Sequence, residues 1–379
     1  MKLALFLHAY QPPTQYSQIT IEIAKRSYVP IVKALESSTR GKITLNMSGS
    51  LIEQLLENGE SQLLDRYKTQ VENGSIEYVG TAAYHPLLTK LPKTEIIRQN
   101  SINEYWLKKW LGDQYVKPNG FFIPEMVYDS AVGEIISDLG YKWVILDESA
   151  YPGIRAHESG QHASYSIGSF QYNIVNTNTH VFFRDRPLSL AIAFEKDLSI
   201  KSFIERVQEH EDVFGEQYAV VALDAETFGY HHKGNIRLLS GLFNQNTIEL
   251  VTVSEIYHTD IEIKEIVPEC STWGVTIEDP NQERTFPRWN NPENEIHKLQ
   301  WELFKEALEK GNHRSQLPDD LDKAFHSDQF WWASKSPCWH KGMVFRALEY
   351  YSQIENIDSG LVNKITTLLD NEAETVIEC

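Results

Sequence analysis

The chain is short of cysteine, short of positive charge and without a long hydrophobic run, and each shortage removes a class of protein. Its three cysteines, Cys270, Cys338 and Cys379, stand among 379 residues. They are too few and too scattered for a disulfide framework, and no Cys-x-x-Cys pair suggests structural zinc; all three are expected to be free thiols. Lysine and arginine total 35 against 53 aspartates and glutamates, a formal charge of −18. Nucleic-acid binding draws on clustered Lys and Arg, so no nucleic-acid partner is expected, and the acidic balance suits a soluble protein with a neutral substrate. No stretch approaches the roughly 20 apolar residues that span a bilayer, so no membrane partner is expected and the chain is placed in the cytoplasm. The opening run to His8 is too short for a secretory signal and reaches the histidine without a small-residue cleavage site; it is predicted to be a strand. The sequence also lacks an internal repeat, a low-complexity tract and any His-x-x-x-His pair.

What it does contain is a carboxylate at the end of each of two strand-like runs. Tyr218-Ala219-Val220-Val221-Ala222-Leu223 is apolar at nearly every position, the pattern of a central parallel strand buried on both faces. It leads into Asp224-Ala225-Glu226-Thr227-Phe228-Gly229-Tyr230-His231-His232. Asp224 either emerges at the carboxyl end of the strand or caps a following helix. The second run, Gly120-Phe121-Phe122-Ile123, meets Pro124 and then Glu125; the proline ends strand pairing because it lacks an N–H. Helical spacing follows at Val132, Ile135, Ile136 and Leu139, with Gly140 placed to close the helix. Two acids at the ends of different barrel strands can face one pocket. Glycoside hydrolysis needs such a pair, one protonating the leaving oxygen and the other attacking the anomeric carbon or activating water.

Short apolar runs alternate with amphipathic helical segments, as in repeated βα units. Strands are predicted over 2–7, 43–47, 76–80, 120–123, 143–147, 188–193, 219–223 and 248–252, and helices over 16–35 and 51–71. Seven or eight such runs suit a closed or nearly closed α/β barrel, and 379 residues leave room for a further subdomain. The catalytic barrel is placed over 1–258, with an insertion at about 148–187 shaping the mouth of a cleft. Residues 259–379 are assigned to a loop-rich stretch and a helical subdomain, with no further strand signal from Glu293 on.

The ordered motifs resemble those of glycoside hydrolase family 57, retaining enzymes acting mostly on α-glucans. His8-Ala9-Tyr10-Gln11-Pro12 looks like the family's first motif and Gly74-Ser75-Ile76-Glu77 like its second. Phe122-Ile123-Pro124-Glu125 resembles the third, Asp224 to Gly229 the fourth, and Trp273 to Trp301 the aromatic fifth region. The resemblance implies a (β/α)7 barrel, an incomplete TIM-like barrel, followed by a helical region. It implies Glu125 as nucleophile, Asp224 as general acid/base, an oligo- or polysaccharide substrate, and no metal or cofactor. Asp224 must then hold a proton near neutral pH while Glu125 stays ionised. Glu226 is expected either to supply the negative charge that raises Asp224 or to be a structural ion-pair partner.

Three positions depart from the family pattern: Tyr10 and Tyr230 stand where histidines are usual, and Phe122 where tryptophan is common. Tyr10, Tyr230, His8, Gln11 and His231 are expected around the sugar, the competing readings being core packing for the tyrosines and a solvated loop pair for His231 and His232. Glu77 is implied as a partner of a substrate hydroxyl or of His8, and His85 as facing the same cleft. Trp273 and Trp289 are expected to be platforms for pyranose rings, whereas at least one of Trp331 and Trp332 is expected in the core. Asp147 and Glu148 suit a capping or ion-pair role as well as a site role. A metal-dependent polysaccharide deacetylase of related barrel fold and an α-galactosidase of the same family are the alternative functions, and hydrolysis and transglycosylation both remain open.

Overall fold

Alternation of side chains along parallel strands organises the molecule. The computed structural model describes residues 1–152, 167–274, 286, 288–311, 318–335 and 338–372. The barrel strands are β1 (Lys2–Ala9), β2 (Ile43–Met47), β3 (Ile76–Tyr78), β4 (Gly80–Thr81), β5 (Gly120–Phe122) and β6 (Trp143–Asp147), joined after an outer strand, β7 (Gln171–Ile174), by β8 (His180–Arg184) and β9 (Tyr218–Asp224). Pairing runs β9–β1–β2–β3 and β4–β5–β6–β8, all parallel. Only Val79 separates β3 from β4, so these two are one strand position. The round closes where the Asp185 N–H donates to the Val220 carbonyl at 2.7 Å, giving seven strand positions. Short strand β10 (Glu249–Val251) pairs with the amino-terminal half of β1, and β11 (Ile263–Ile266) lies parallel to β7 at the edge.

Because successive side chains on a strand point to opposite faces, each strand feeds two cores. Ala4 and Phe6 of β1, Val220 and Ala222 of β9, Phe122 of β5, Trp143 and Ile145 of β6 and Phe182 of β8 fill the barrel interior. Leu3, Leu5 and Leu7 pack outward with Leu45, Met47 and the helices of the first half. Phe121, Val144, Leu146, Val181 and Phe183 pack outward into a core shared with Leu303, Phe304, Phe330 and Val344 of the carboxyl-terminal helices. The helical region is therefore continuous with half of the barrel wall. Gly120 is required by this packing: a Cβ there would lie 2.2 Å from the Trp143 ring, which is fully buried inside the barrel.

Two expectations fail here. Residues 188–193 are not a strand but part of helix Arg186–Phe194, in which Asp185 accepts the Leu188 N–H, Pro187 occupies the first turn and Leu188, Ser189, Ala191 and Ile192 are buried with helical spacing. The barrel strand lies just before it, at β8, inside the stretch expected to be an insertion; of that stretch, 153–166 lie outside the described residues. Strand β11 is one that the apolar runs did not mark. Cys270 is a free thiol as expected, but Cys338 is buried and disulfide-bonded, a bond rare in reducing compartments. Among the described residues no helix is long and apolar enough to cross a membrane.

The carboxyl-terminal helices Glu295–Lys310, Asp320–Ala324, Asp328–Trp332, Lys341–Ser352 and Ser359–Asn371 are fastened to the barrel by charge as well as apolar packing. Arg98, on barrel helix Lys93–Leu111, donates from Nε and Nη2 to the two oxygens of fully buried Asp322 at 2.8 and 2.6 Å. Truncating one side of a buried, bidentate pair strands the other charge. Arg98→Ala is therefore expected to cost about 3–5 kcal/mol in urea unfolding, and a loss below about 1 kcal/mol would mean that the pair does not hold the helices. Gly120→Ala is expected to lower stability by about 1–3 kcal/mol through overpacking against Trp143, read from the same unfolding curves.

Candidate active site

The interior side chains change character at the carboxyl end of the barrel. Below it they are mostly apolar; at the last inward-facing positions stand His8, Asp147, Arg184 and Asp224, and register sets His8 of β1 opposite Asn46 of β2 on one side and Asp224 of β9 on the other. Asp147 of β6 is opposite Arg184 of β8. A layer of hydrogen-bonding and charged groups thus closes the apolar interior at the face where barrel enzymes place their chemistry.

Glu125 enters this layer from a strained turn. After β5, Pro124 starts a single helical turn in which Glu125 has φ +58° and Met126 φ +47°, left-handed conformations that side chains other than glycine seldom adopt. His85, at φ +59°, is a third such residue in the same place. Strained backbone of this kind persists where surroundings over-determine it. Here the Glu125 carbonyl accepts the Thr272 hydroxyl at 2.7 Å and the Trp273 N–H at 3.3 Å. The Trp273 indole N–H donates to the Glu125 carboxylate at 2.7 Å, and His85 Nδ1 lies 3.7 Å from its other oxygen. Burial and then the negative charge of Asp328 push the Glu125 carboxyl up to about 8, against the Trp273 hydrogen bond, with Asp224 adding to the rise.

Asp224 ends β9 as its exposed residue after six buried ones. Water reaches it, yet enough protein surrounds it that desolvation raises it to about 6; Arg184 opposes this and Asp328 reinforces it. The charge expected from Glu226 is therefore supplied by Asp328 instead. Glu226 sits in the turn Ala225–Thr227, buried, accepting from Gln11 Nε2 at 2.9 Å and from the Tyr28 hydroxyl. Burial and the Asp224 charge raise Glu226 to about 8. It remains neutral while Asp224 titrates, so the repulsion falls on Glu226 and not on Asp224.

The Glu226 turn is held from below. Tyr28 ends a π-helical stretch, Ala24–Tyr28, which also turns the Ser27 hydroxyl onto the Ala225 carbonyl at 2.8 Å; such bulges recur at functional sites. Gly229, at φ +106°, lets the chain pass so close that a Cβ would lie 2.1 Å from the Arg26 carbonyl, which accounts for the glycine of the fourth motif.

The floor is a stack of rings. His8 lies 4.5 Å from Phe122 and 5.0 Å from His85, and Tyr10 stacks on His85 at 4.1 Å. His8 Nδ1 is hydrogen-bonded to the Asn46 side chain at 2.7 Å. Burial holds His8 well below its ordinary range and His85 at about 4, so both rings are neutral at physiological pH. The Tyr10 hydroxyl donates to Asp328 at 2.6 Å. Asp328 is held below the usual carboxylate range because His326, His85 and the Tyr10 hydroxyl together outweigh its burial. Ser327 reaches the same place, its hydroxyl 3.1 Å from His85 Nδ1 and its N–H bonded to the His85 carbonyl at 3.0 Å.

The structure thus brings Glu125, Asp224, His8, Tyr10, His85 and Trp273 together, with Gln11 and Glu226 behind Asp224. It does not bring in the others. Glu77 is a correction: paired with Thr44, two residues short of the His8 layer, it accepts from the Thr44 hydroxyl and the Ser254 N–H and holds helix Val253–Tyr257, while His8 takes Asn46 as partner. Trp289 is also a correction, since it is fully buried against Trp331 and Gly274 and offers no face to a sugar. Trp332 is buried and Trp331 partly so. Tyr230 lies under the Arg26 guanidinium at 4.9 Å and His231 is exposed beside it; their N–H groups donate to the Glu226 carbonyl, but the Tyr230 ring packs on Arg26 and His231 and not on the carboxylates.

Asp328, Ser327, Asn46, Tyr28 and Arg184 were not expected in the site. Asn46, next to last in a correctly predicted strand, was findable by counting alternate positions from Thr44. Among the described residues one group has donor atoms close enough to hold a metal: Asp185, His210 and Glu216, all within 4.8 Å. His210 Nδ1 is already bonded to Glu216 at 2.7 Å, and the group includes neither Glu125 nor Asp224.

Comparison with known proteins joins this geometry to a family. The chain is 25% identical over 258 residues to the 4-alpha-glucanotransferase of Thermococcus litoralis, covering 66% of this chain and 37% of that one. It is 27% identical over 142 residues to an alpha-amylase of Pyrococcus abyssi, covering 38% of this chain and 21% of the relative. It therefore spans between about a fifth and just over a third of the length of these curated relatives. In fold it is similar to a family 57 branching enzyme of Thermococcus kodakaraensis, with a TM-score of 0.73 at 15% identity over 98% of this chain and 94% of that one. It is also similar to an alpha-amylase of Thermotoga maritima, with a TM-score of 0.64 over 99% of this chain. At such identities these likenesses speak to the fold, a (β/α)7 barrel. The profile of glycosyl hydrolase family 57 matches residues 5–268, from within β1 to beyond β11, so the chain belongs to glycosyl hydrolase family 57.

Proposed function

We propose that this protein cleaves α-glycosidic bonds of α-glucans with retention, as a hydrolase or a transglycosylase, through a glycosyl-enzyme on Glu125 with Asp224 as general acid/base. The observation that supports this most directly is the convergence of two desolvated carboxylates on one polar layer at the barrel mouth in a family 57 chain. The names of its relatives, alpha-amylase and 4-alpha-glucanotransferase, point to α-glucans. Family membership favours this reading over a metal-dependent deacetylase.

In the first step Glu125 attacks the anomeric carbon as the bond to the leaving oxygen breaks, and Asp224 gives its proton to that oxygen. In the second, Asp224 takes a proton from water or a sugar hydroxyl, whose oxygen attacks the anomeric carbon and releases Glu125. Trp273 keeps a hydrogen bond on the nucleophile, and its partly exposed ring is the remaining sugar platform. The neutral stack of His8, His85 and Tyr10 suits the uncharged face of a pyranose.

In the free site Glu125, at about 8, holds its proton more tightly than Asp224, at about 6, the reverse of what the first step needs. Substrate reverses the order: positive charge developing at the anomeric carbon favours ionised Glu125, and a leaving group covering Asp224 expels the water that favours its charge. The competent form carries one proton on the pair.

Three outcomes are expected. Glu125→Ala abolishes product formation from maltooligosaccharides, soluble starch and pullulan, and persistence of activity would refute the mechanism; activity confined to an aryl α-galactoside would instead make the protein an α-galactosidase. Asp224→Ala slows glucan cleavage by about 10²–10⁴-fold and spares aryl glycosides whose leaving group needs no proton. For the wild-type protein, kcat/KM falls below pH about 6, where both acids are protonated, and above about 8, where neither is; a profile flat across that range would contradict the pair.

A further inference from the structure

Arg184 is a buried guanidinium at the end of a barrel strand, where its burial opposes its charge. Its cross-strand neighbour, fully buried Asp147, does not require it. Asp147 already takes two bonds of 3.1 Å from Arg186 Nη1 and another of 3.1 Å from the Ser149 N–H, whereas Arg184 Nη1 stands 3.6 Å away. Glu148, the next acid, is raised to about 8, first by burial and then by Asp147, and so is neutral at pH 7. The Arg184 guanidinium lies 5.4 Å over the ring of Trp273, the residue that bonds Glu125, and because β8 adjoins β9 through the Asp185 N–H to Val220 carbonyl bond, Arg184 and Asp224 end neighbouring strands in the same inward-facing layer, where the cation opposes the rise that burial imposes on Asp224.

We propose that Arg184 is a positioning residue for Asp224: held beside Asp147 and over Trp273, its guanidinium steadies the Asp224 carboxylate so that one acid can give up a proton in the first step and accept one in the second. The inference rests on the assignment of Asp224 as acid/base. Charged and titratable groups surround the two residues: His8 on β1, Glu125 after β5, Glu226 in the following turn and Asp328 from the carboxyl-terminal helices act around Asp224, and Asp147 and Glu148 at the end of β6 and Arg186 on the helix after β8 act around Arg184. Asp328 acts in the same direction as burial, and Arg184 is the opposing cation. Without it Asp224 holds its proton more tightly, and the step in which it must act as a base is the one that suffers.

The test is the titration of Asp224 itself, followed by carboxyl-¹³C NMR on aspartate-labelled protein and identified by its loss in Asp224→Asn. Arg184→Gln is expected to raise the Asp224 midpoint by about one pH unit and to move the basic limb of kcat upward in parallel. Arg184→Lys, keeping the charge, should stay near wild type, and Asp147→Asn, which removes the counter-charge from the arginines, should move the midpoint down. A folded Arg184→Gln protein whose Asp224 titrates as in the wild type would overturn the proposal; should that variant not fold, an unmoved midpoint in Asp147→Asn would do the same. If the wild-type protein cleaved none of the glucans, the functional reading would fail, yet the carboxyl titration would still decide whether Arg184 governs Asp224.

Discussion

The pairing of β9 with β1 places Asp224 opposite His8, and the polar layer at the barrel mouth depends on that register. A slip of one residue would turn every side chain of β9 over, sending Asp224 into the helix layer and Leu223 into the mouth. The register is fixed from below by the interior packing of Ala4, Phe6, Val220 and Ala222, and by Gly120 yielding its Cβ space to Trp143. The chemistry at the mouth is thus held by apolar residues that touch no substrate. The same counting separates His8 from Glu77: both face inward, but Glu77 is two residues lower and is spent on holding a helix.

The barrel alone does not complete the site. Asp328 and Ser327 arrive from the carboxyl-terminal helices, whose apolar faces continue the outer core of β5, β6 and β8. Tyr10 shows what this does to a family position. A histidine there would be able to carry a proton, whereas the tyrosine, raised by burial and by Asp328, stays neutral and donates to Asp328 while its ring covers His85. The acid that most affects both Glu125 and Asp224 is therefore oriented by the residue that follows the first barrel strand.

Much of this was legible because a buried parallel strand that stops at an acid leaves a plain trace. The ends of β5 and β9 with their two acids, and the strands β1, β2 and β6, could be placed from apolar runs alone. Strand β8 could not: His180 and Arg184 bracket only three apolar residues, while Leu188–Ala193 offers a longer run that an aspartate cap and a proline turn into a helix. Losing β8 meant losing Arg184, whose significance lies in facing inward. Asp328 was illegible for another reason, since nothing local marks an aspartate 318 residues from Tyr10 as its partner. Trp289 misled because loop composition suggests exposure, whereas burial is decided by Trp331 and Gly274 folding around it.

The site concentrates acid with little cation to balance it. Glu125, Asp224, Glu226 and Asp328 share one desolvated region, and their proton affinities separate because each has different company. Asp328 has histidines and a tyrosine and stays ionised; Asp224 has Arg184; Glu125 and Glu226 have hydrogen-bond donors too weak to offset burial, and they keep their protons. A site so arranged is poised by its surroundings, not by any one residue. Moving a proton from Glu125 to Asp224 requires only that substrate alter burial at one acid and charge at the other, which is what a glycosidic bond lying between them would do.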